Sequence, residues 1–232
     1  MLLNKNAVVL LSGGLDSAVV LYFARKQGFK CYCLIFDYAQ RHKREIESAK
    51  KIARMAGARS KLISIPFPWK GSSLLDNKIS LSPAPVKSIV EAAGIPLTYV
   101  PGRNIIFLSF AVSYAEAISA RTVFIGAHTE DYSGYPDCRP EFYRAFQKAV
   151  DSGTKAGVQG GGIKIFTPLI NKTKAGIIKT GLHLGVPFQF TWSCYKGGRK
   201  PCGECDSCFF RAKGFKEAGI EDPLLIRRQA GI

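Results

Sequence analysis

Residues 5–17 read KNAVVLLSGGLDS, a buried strand running into a glycine turn and then a helix. Lys5–Leu11 is aliphatic and β-branched, which is typical of a strand buried on both faces. The next residues, Ser12-Gly13-Gly14, form a tight turn, and a helix is predicted from Asp16 to Gln27. Glycines let the backbone approach an anion, and the helix N-terminus offers unpaired N–H groups to it. The stretch therefore predicts a phosphate-binding loop, with a capped turn lacking any ligand as the alternative.

The same alternation of strands and helices continues along the chain. Further strands are predicted at Cys31–Phe36, Lys61–Ile65, Thr122–Gly126 and Lys164–Thr167, and further helices at Arg41–Ala56, Ile105–Ala120, Pro140–Val150, Thr173–Leu184 and near Phe209–Ala218. The proline-rich stretch 66–104 interrupts the pattern, with one short helix expected at Val86–Ala93. Strands that alternate with helices predict an α/β fold with a doubly wound parallel sheet.

Four polar segments follow the predicted strands. They are Ser12–Ser17, Asp37–Arg41, Gly126–Arg139 and Thr167–Lys174. Ligands of such sheets bind at the carboxyl ends of the strands. We therefore expect these four segments to form one rim around a binding site.

The composition is that of a basic globular protein. The chain has 232 residues, with 33 Lys and Arg against 17 Asp and Glu, which gives a net charge of +16. No apolar run approaches the roughly 20 residues that span a membrane, and the N-terminus does not resemble a secretory signal. An intracellular, cytoplasmic protein is expected. The positive charge favours polyanions such as nucleotides or RNA, but it can equally keep a small enzyme soluble or frame an oligomer interface.

Four of the seven cysteines lie close together near the C-terminus: Cys194, Cys202, Cys205 and Cys208. Four thiolates at this spacing can close a tetrahedral shell around one structural Zn²⁺, which leaves no open coordination position. An iron–sulfur cluster is the alternative. Together with the glycine loop and the alternating strands and helices, the cysteines predict two parts of the chain. These are a nucleotide-binding domain over residues 1–186 and a small C-terminal zinc-binding subdomain over residues 187–232.

The glycine loop fits neither common phosphate motif, since GxxxxGK[ST] is absent and no GxGxxG follows the first strand. Ser12–Ser17 instead resembles the SGGxDS loop of the PP-loop ATP pyrophosphatases, which have the adenine nucleotide alpha hydrolase-like fold. This resemblance implies that the chain uses ATP, with Mg²⁺, as a cosubstrate. The implied ATP segment comprises Leu11, Ser12, Gly13, Gly14, Leu15, Asp16, Ser17, Ala18, Val19, Val20 and Leu21.

Further segments narrow the resemblance to one family. They are FDYAQRH at 36–42, VPGRN at 100–104, DYSGYPDCR at 131–139, TPL at 167–169 and CGEC at 202–205. With the SGGLDS loop and the cysteine tail, they resemble the QueC family of 7-cyano-7-deazaguanine synthases over essentially the whole chain. That family makes a nitrile, preQ0, from 7-carboxy-7-deazaguanine, ammonia and ATP, as a precursor of queuosine or archaeosine.

The resemblance also implies roles for individual residues. Catalytic roles fall on Asp16, a candidate helix cap or Mg²⁺ ligand, and on Arg103 and Lys174. The two cations can stabilise developing negative charge, with a solvated surface position as the alternative for either. A deazaguanine pocket is expected from Asp131, Tyr135, Asp137 and Arg139, although a loop held by its own turns is the alternative there. His128 is expected to make a structural hydrogen bond. The family also implies small-molecule substrates and a homodimer.

Two other functions fit parts of the sequence. A PP-loop enzyme that thiolates tRNA would explain the positive charge, but the chain has no room for an RNA-binding domain, so direct nucleic-acid binding is not expected. A catalytically silent zinc module would explain the cysteines but not the intact SGGLDS loop. Within the family, a variant enzyme that stops at the amide or transfers the acyl group is also compatible with the motifs.

Overall fold

A computed structural model describes residues 5–76, 78–79, 81, 95–128 and 134–229. Within them, a sheet of five parallel strands has the order β3-β2-β1-β4-β5. The strands are β1 Asn6–Leu10, β2 Lys30–Asp37, β3 Arg59–Ser64, β4 Thr122–Phe124 and β5 Lys164–Phe166. The predicted parallel α/β sheet is confirmed, and each strand lies within two residues of its predicted bounds.

Strand β1 is central because its residues are apolar toward both faces of the sheet. All five of its residues are buried. Ala7 and Val9 belong to one core cluster, whereas Val8 and Leu10 belong to the other. Val8 pairs with Tyr32 on β2 and with Val123 on β4. The glycine loop that follows β1 is therefore placed at the middle of the sheet.

Helices cover both faces of the sheet. They are α1 Leu15–Lys26, α2 Arg44–Met55, α3 Arg103–Ala117, α4 Pro140–Gly153, α5 Lys155–Val158, α6 Lys174–His183, α7 Asp206–Ala218 and α8 Pro223–Gln229. The buried apolar residues of α1, α2 and α6, together with Phe215 of α7, belong to one core cluster, and those of α3 and α4 belong to the other. The doubly wound arrangement is therefore confirmed as well.

Several helix bounds differ from the prediction. The first residue of α3 is Arg103, two positions before the predicted start, because Gly102 adopts a positive φ of 63° that ends the preceding turn. The short helices α5 and α8 were not predicted, since four and seven residues carry too little apolar periodicity to be recognised. The predicted helix Val86–Ala93 lies outside the described residues.

The C-terminal tail packs on the sheet domain through aromatic side chains. Phe188 and Phe215 are buried in the core cluster that also contains α1. Their rings meet edge to face, with centroids 5.6 Å apart. The division into residues 1–186 and 187–232 stays a prediction. In the described part of the chain, every helix is too short or too polar to cross a membrane.

Candidate functional site

Two adjacent cavities that share part of their walls lie at the carboxyl edge of the sheet, where the chain direction splits between β1 and β4. Sheets of this kind bind their ligands at such a switch point. The first cavity has a volume of about 300 Å³ and the second about 230 Å³. Residues from all four segments of the predicted rim line them, including Ser12, Gln40, Gly126 and Lys174. The walls common to both cavities are Leu15, Asp16, Leu74, Arg103, Gly126, Ala127, Cys138, Ser193, Tyr195 and Ser207.

The glycine loop is held in shape by its own hydroxyl groups. The Oγ atoms of Ser12 and Ser17 lie 3.0 Å apart, and Ser17 Oγ donates to the carbonyl of Gly14. The Gly14 N–H donates to Ser12 Oγ at 3.2 Å. With Leu11 and Leu15, these three residues line the first cavity, at the N-terminus of α1. These internal hydrogen bonds fix the loop so that the N-terminus of α1 lies at the cavity, where the helix dipole and the first backbone N–H groups favour an anion.

Gly13 has a different role in the same loop. Its φ is +90°, and a Cβ added there would lie 2.2 Å from the carbonyl oxygen of Glu45 on α2. Gly13 therefore allows the loop to pack directly against the backbone of α2. Gly126, after β4, approaches the loop from the other side, since its Cβ would lie 3.0 Å from the backbone of Asp16 and Ser17.

The predicted ATP segment divides into two parts. Leu11, Ser12, Gly14, Leu15, Asp16 and Ser17 line the first cavity. The side chains of Ala18, Val19, Val20 and Leu21 are fully buried in the core on α1. A direct contact of these last four residues with ATP stays a prediction.

Asp16 lies in a cluster of charges at the start of α1. Lys174 Nζ is 3.0 Å from Asp16 Oδ1 and 2.9 Å from His128 Nε2. His128 Nε2 is also 3.6 Å from Asp16 Oδ2. Burial alone would raise the pKa of Asp16, but Lys174 and His128 hold it well below its usual value. The cluster therefore keeps an ionised carboxylate and an ammonium group at the mouth of the phosphate loop.

Arg103 places a second fixed cation in the shared wall of the cavities. Its Nη1 donates to the hydroxyl of Tyr38 at 3.4 Å, and its guanidinium lies 5.8 Å from the centre of that ring. Burial opposes the charge of Arg103, but Tyr38, Tyr135 and Asp137 raise its pKa above the usual value. Arg103 therefore carries its charge into the cavities, as the predicted catalytic role requires.

The predicted deazaguanine residues lie in different environments. Tyr135 lines the second cavity, and its hydroxyl is hydrogen-bonded to Thr98. Asp137 is buried and accepts from the backbone N–H of Asn104 at 3.2 Å, so its carboxylate holds the loop to α3. Arg139 is exposed beside the start of α4. Asp131 lies outside the described residues. Substrate contacts by these four residues stay predictions.

Cys138 is the cysteine that lies beside both cavities. Burial, reinforced by Asp137, raises the pKa of its thiol to about 11. The group is therefore a neutral thiol near pH 7 and a poor nucleophile. A thiolating enzyme would need the opposite property in a cysteine at this position. Cys31 and Cys33 are buried in the core, as expected from their alternation on β2.

Several cavity residues were not identified from the sequence. They are Glu45, Trp192, Ser193 and Tyr195. The last three precede or follow the first cysteine of the tail, so the tail forms one wall of the cavity. Glu45 could have been noticed as an acidic residue at the start of a basic helix, directly after the polar segment that follows β2.

The four C-terminal cysteines form one compact sulfur cluster. Their Sγ atoms all lie within 4.8 Å of one another, and those of Cys202 and Cys208 are 3.9 Å apart. Tetrahedral zinc thiolates, with Zn–S bonds of about 2.3 Å, have sulfurs about 3.8 Å apart. The backbone N–H groups of Cys202 and Cys205 donate to sulfur, each at 3.3 Å, which stabilises thiolate charge. The cluster is shaped for a single metal ion, which fits better than a larger iron–sulfur centre.

Comparison with known proteins agrees with this geometry. The family model described as queuosine biosynthesis protein QueC matches residues 6–219. The chain belongs to the QueC family. It is similar to QueC relatives named 7-cyano-7-deazaguanine synthase, with 52% identity over 95% of the chain and 92% of the relative from Thermoplasma acidophilum. The Pseudomonas fluorescens relative is 49% identical, over 95% of this chain and 97% of its own. The predicted family is confirmed.

Among solved structures, the chain is similar to NMN synthetase from Francisella tularensis. The two share 18% sequence identity over 94% of this chain and 78% of that chain, with a TM-score of 0.48. A similarity of this size decides neither the fold nor the function. Membership of the QueC family rests on the sequence matches.

Proposed function

We propose that this protein is an ATP-dependent carbon–nitrogen ligase that converts 7-carboxy-7-deazaguanine and ammonia to 7-cyano-7-deazaguanine, a precursor in queuosine biosynthesis. Membership of the QueC family supports the substrate class. One structural observation carries the chemistry. The Ser12–Ser17 loop lines the first of two adjacent cavities, Arg103 lines both, and Lys174 lines the second.

The reaction removes both oxygens of a carboxylic acid, and each oxygen must become part of a leaving group. A carboxylate oxygen attacks the α-phosphorus of ATP, and pyrophosphate leaves with the electron pair of the broken P–O bond. Ammonia then adds to the acyl carbon, a proton is lost from nitrogen, and AMP departs with the carboxylate oxygen to give the amide. The amide oxygen then attacks the α-phosphorus of a second ATP and releases pyrophosphate, and loss of AMP together with both N–H protons yields the nitrile.

The residues of the site suit these steps. In the proposal, Ser12, Gly14 and the N-terminus of α1 bind the phosphates. Lys174 neutralises charge on the departing pyrophosphate, and Arg103 stabilises the charge that develops during carboxylate activation. His128 positions Lys174, since its Nε2 lies 2.9 Å from the ammonium nitrogen. Catalysis here consists mainly of orientation and electrostatics rather than covalent chemistry by the protein.

Two metal ions belong to the proposal. Asp16 would share Mg²⁺ with the phosphates of ATP, because its ionised carboxylate lines both cavities and hard cations prefer oxygen ligands. The ion would offset the negative charge of the phosphates. Zn²⁺ would bind the four-cysteine cluster as a structural ion, one per chain, since four thiolates leave no position for a substrate.

The proposal extends to assembly and location. The expected substrates are small molecules: the deazaguanine acid, ATP, and ammonia taken from solution or from a separate supplier. We infer a homodimer, which is supported by the exposed apolar side chains of Ile105 and Phe110 on α3. We also infer a cytoplasmic location, as suits a biosynthetic enzyme that uses ATP. Sedimentation analysis of the purified protein tests the dimer.

One incubation tests the reaction. Purified protein is mixed with ATP, Mg²⁺, ammonium and 7-carboxy-7-deazaguanine, and the products are analysed by mass spectrometry. The nitrile is expected, and it should disappear when ammonium is omitted or when Asp16→Ala replaces the wild type. Accumulation of the amide alone would show an enzyme that stops halfway, and consumption of ATP without any deazaguanine product would overturn the proposal.

A further inference from the structure

Glu45 is a cavity residue to which the reaction above gives no role. It lies in the first turn of α2, and its side chain lines the first cavity together with Tyr38, Arg103 and Tyr195. Its carbonyl oxygen is in close contact with Gly13, so α2 holds Glu45 directly beside the phosphate loop. The position of its carboxylate is therefore fixed by the same packing that shapes the nucleotide site.

Three polar side chains lie near this carboxylate, but none of them forms a hydrogen bond with it. One is Arg103, whose positive charge acts on the carboxylate. The other titratable groups near it are the hydroxyls of Tyr38 and Tyr195. Within the described part of the chain, no donor forms a hydrogen bond with its side chain. The partly buried carboxylate can therefore accept hydrogen bonds from a molecule bound in the cavity.

The other carboxylates near the phosphate loop already have partners. Both oxygens of Asp16 accept from Lys174, at 3.0 and 3.1 Å. Asp137 accepts from the N–H of Asn104. Glu45 therefore adds a hydrogen-bond acceptor to a cavity of about 300 Å³. Aromatic rings from the sheet region and from the C-terminal tail form part of the walls of this cavity. A flat heterocycle with two adjacent N–H donors would match such a wall.

We propose that Glu45 recognises the guanine-type edge of the substrate by accepting hydrogen bonds from N1–H and from the 2-amino group. The inference rests on the proposed function, because it takes a deazaguanine as the substrate. The two oxygens of a carboxylate match two parallel donors, and hydrogen bonds to an ionised group are the strong ones. Tyr38 and Tyr195 provide aromatic surface for the ring.

The same geometry discriminates against adenine. The Watson–Crick edge of adenine offers one donor, the 6-amino group, and one acceptor, N1. An ionised Glu45 would accept from the amino group but would face the lone pair of N1, which is repulsive. Glu45 thus favours binding of the substrate's base over the adenine base of ATP in this cavity.

The test compares two ligands and three variants. The ligands are 7-carboxy-7-deazaguanine and its analogue with hydrogen in place of the 2-amino group. The variants are Glu45→Gln, Glu45→Met and, as a matched control, Glu47→Gln, which changes an exposed acid on the same turn of α2. Affinity is measured by calorimetry in the presence of zinc, so the result does not depend on turnover. ATP affinity and thermal unfolding are measured in parallel.

The wild type should bind the 2-amino ligand roughly 10- to 100-fold more tightly than the analogue, as expected for one hydrogen bond to a charged group. Glu45→Gln keeps the size but turns an N–H donor toward N1–H, so this preference should fall to less than about threefold. Glu45→Met should have the same effect without any polar atom. ATP affinity should not change, and Glu47→Gln should behave as the wild type does.

Other outcomes overturn the inference. If either folded Glu45 variant keeps the full preference for the 2-amino ligand, another group of the protein binds the N1–H and 2-amino edge of the substrate. If the variants lose ATP affinity and keep the preference, Glu45 faces the nucleotide instead. Failure of the wild type to make nitrile, with the binding preference intact, would refute the proposed reaction and leave the role of Glu45 standing.

Discussion

Lys174 Nζ lies within 3.1 Å of both carboxylate oxygens of Asp16, although 158 residues separate the two along the chain. Asp16 is in the first turn of α1 and Lys174 is the first residue of α6, after β5. His128, after β4, contacts both side chains. Three strand ends thus meet at one charge cluster, which fixes an ammonium group beside the phosphate loop.

Replacing Lys174 by methionine should destabilise the protein and abolish ligase activity. The substitution leaves a partly buried carboxylate without its ammonium partner, so we expect a loss of about 1–3 kcal/mol in the free energy of unfolding. Adding Asp16→Asn in the same chain should restore part of that loss, because the uncompensated charge is then absent. Urea unfolding of the two single variants, the double variant and the wild type measures the coupling.

The stabilisation that Lys174 provides through Asp16 should decrease when the solution is acidified. Lys174 and His128 outweigh burial and hold the pKa of Asp16 below its usual value, so its ionisation stabilises the folded state above the unfolded pKa of about 3.9. The stability difference between wild type and Lys174→Met should be full at pH 7 and shrink only as the solution is acidified below about pH 4. Lys172→Met, at an exposed lysine, should show no such difference.

Substitutions at the two loop glycines should have different effects: a change at Gly13 should lower stability, and a change at Gly14 should lower activity. At Gly13, a Cβ would lie 2.2 Å from the Glu45 oxygen and 2.8 Å from the Ala49 nitrogen, at a φ of +90°. Gly13→Ala should therefore lower the free energy of unfolding by at least about 2 kcal/mol. At Gly14, the nearest atoms are Ser12 Oγ at 3.3 Å and the Trp192 oxygen at 3.8 Å, and φ is ordinary.

Gly14→Val should accordingly fold but lose ATP consumption, because a branched side chain would obstruct the approach of the phosphates. Thermal unfolding checks the fold, and release of pyrophosphate checks the activity. A folded, fully active Gly14→Val enzyme would refute the phosphate-binding role of the loop.

Removal of the proposed zinc should affect the site as well as stability. Cys194 is followed by Tyr195 and preceded by Ser193, and both of these neighbours line the cavities. Cys208→Ser should lower the metal content from one ion per chain, lower the Tm by roughly 10 °C or more, and reduce ligase activity. Mass spectrometry of the native protein measures the metal.

Cys33→Ala is the matched control for that experiment. It removes a thiol that is buried in the core rather than in the cysteine cluster. Metal content should stay at one ion per chain, with a loss of about 1 kcal/mol in stability from the smaller side chain. Loss of metal in Cys33→Ala, or full activity in metal-free Cys208→Ser, would contradict a structural role for the ion beside the active site.

The sequence predicts the fold well because the deciding signals are local. The run Lys5–Leu11 is recognisable as a strand from its length, its β-branched residues and the glycine turn Ser12-Gly13-Gly14 that ends it. The strands and helices that alternate after this run predict a doubly wound parallel sheet. Because the carboxyl ends of parallel strands lie at the same edge, Asp16 and Lys174 are predicted to lie at that edge. These residues could be found without coordinates because chain order fixes their position.

Other parts of the site depend on contacts between distant segments. Glu45, Tyr38 and Tyr195 come from a helix, a loop and the tail, and no periodicity shows that they share a wall. Asp137 was predicted from its motif as a substrate residue, and that role stays a prediction. The structure adds a contact that the motif did not indicate, since the carboxylate accepts from the backbone N–H of Asn104. A sequence pattern does not distinguish a carboxylate that holds a loop from one that faces a ligand.

Breaking the buried ion pair between Arg211 and Asp222 should loosen the tail. Arg211 Nε and Nη2 donate to the two oxygens of Asp222 at 2.6 and 2.8 Å, and both side chains are 6% exposed. Arg211 also donates to Thr191 and to the carbonyl of Phe188, so it joins α7 to the segment that leads into the cysteine cluster. Asp222→Ala leaves a buried guanidinium uncompensated, and we expect a loss of about 3–5 kcal/mol.

The double variant Arg211→Met, Asp222→Leu should be more stable than Asp222→Ala alone, because it removes both buried charges and fills their volume with apolar atoms. Urea unfolding with the metal bound measures the three proteins. A loss of less than about 1 kcal/mol in Asp222→Ala would show that the pair is solvated and does not tie the tail to the rest of the chain.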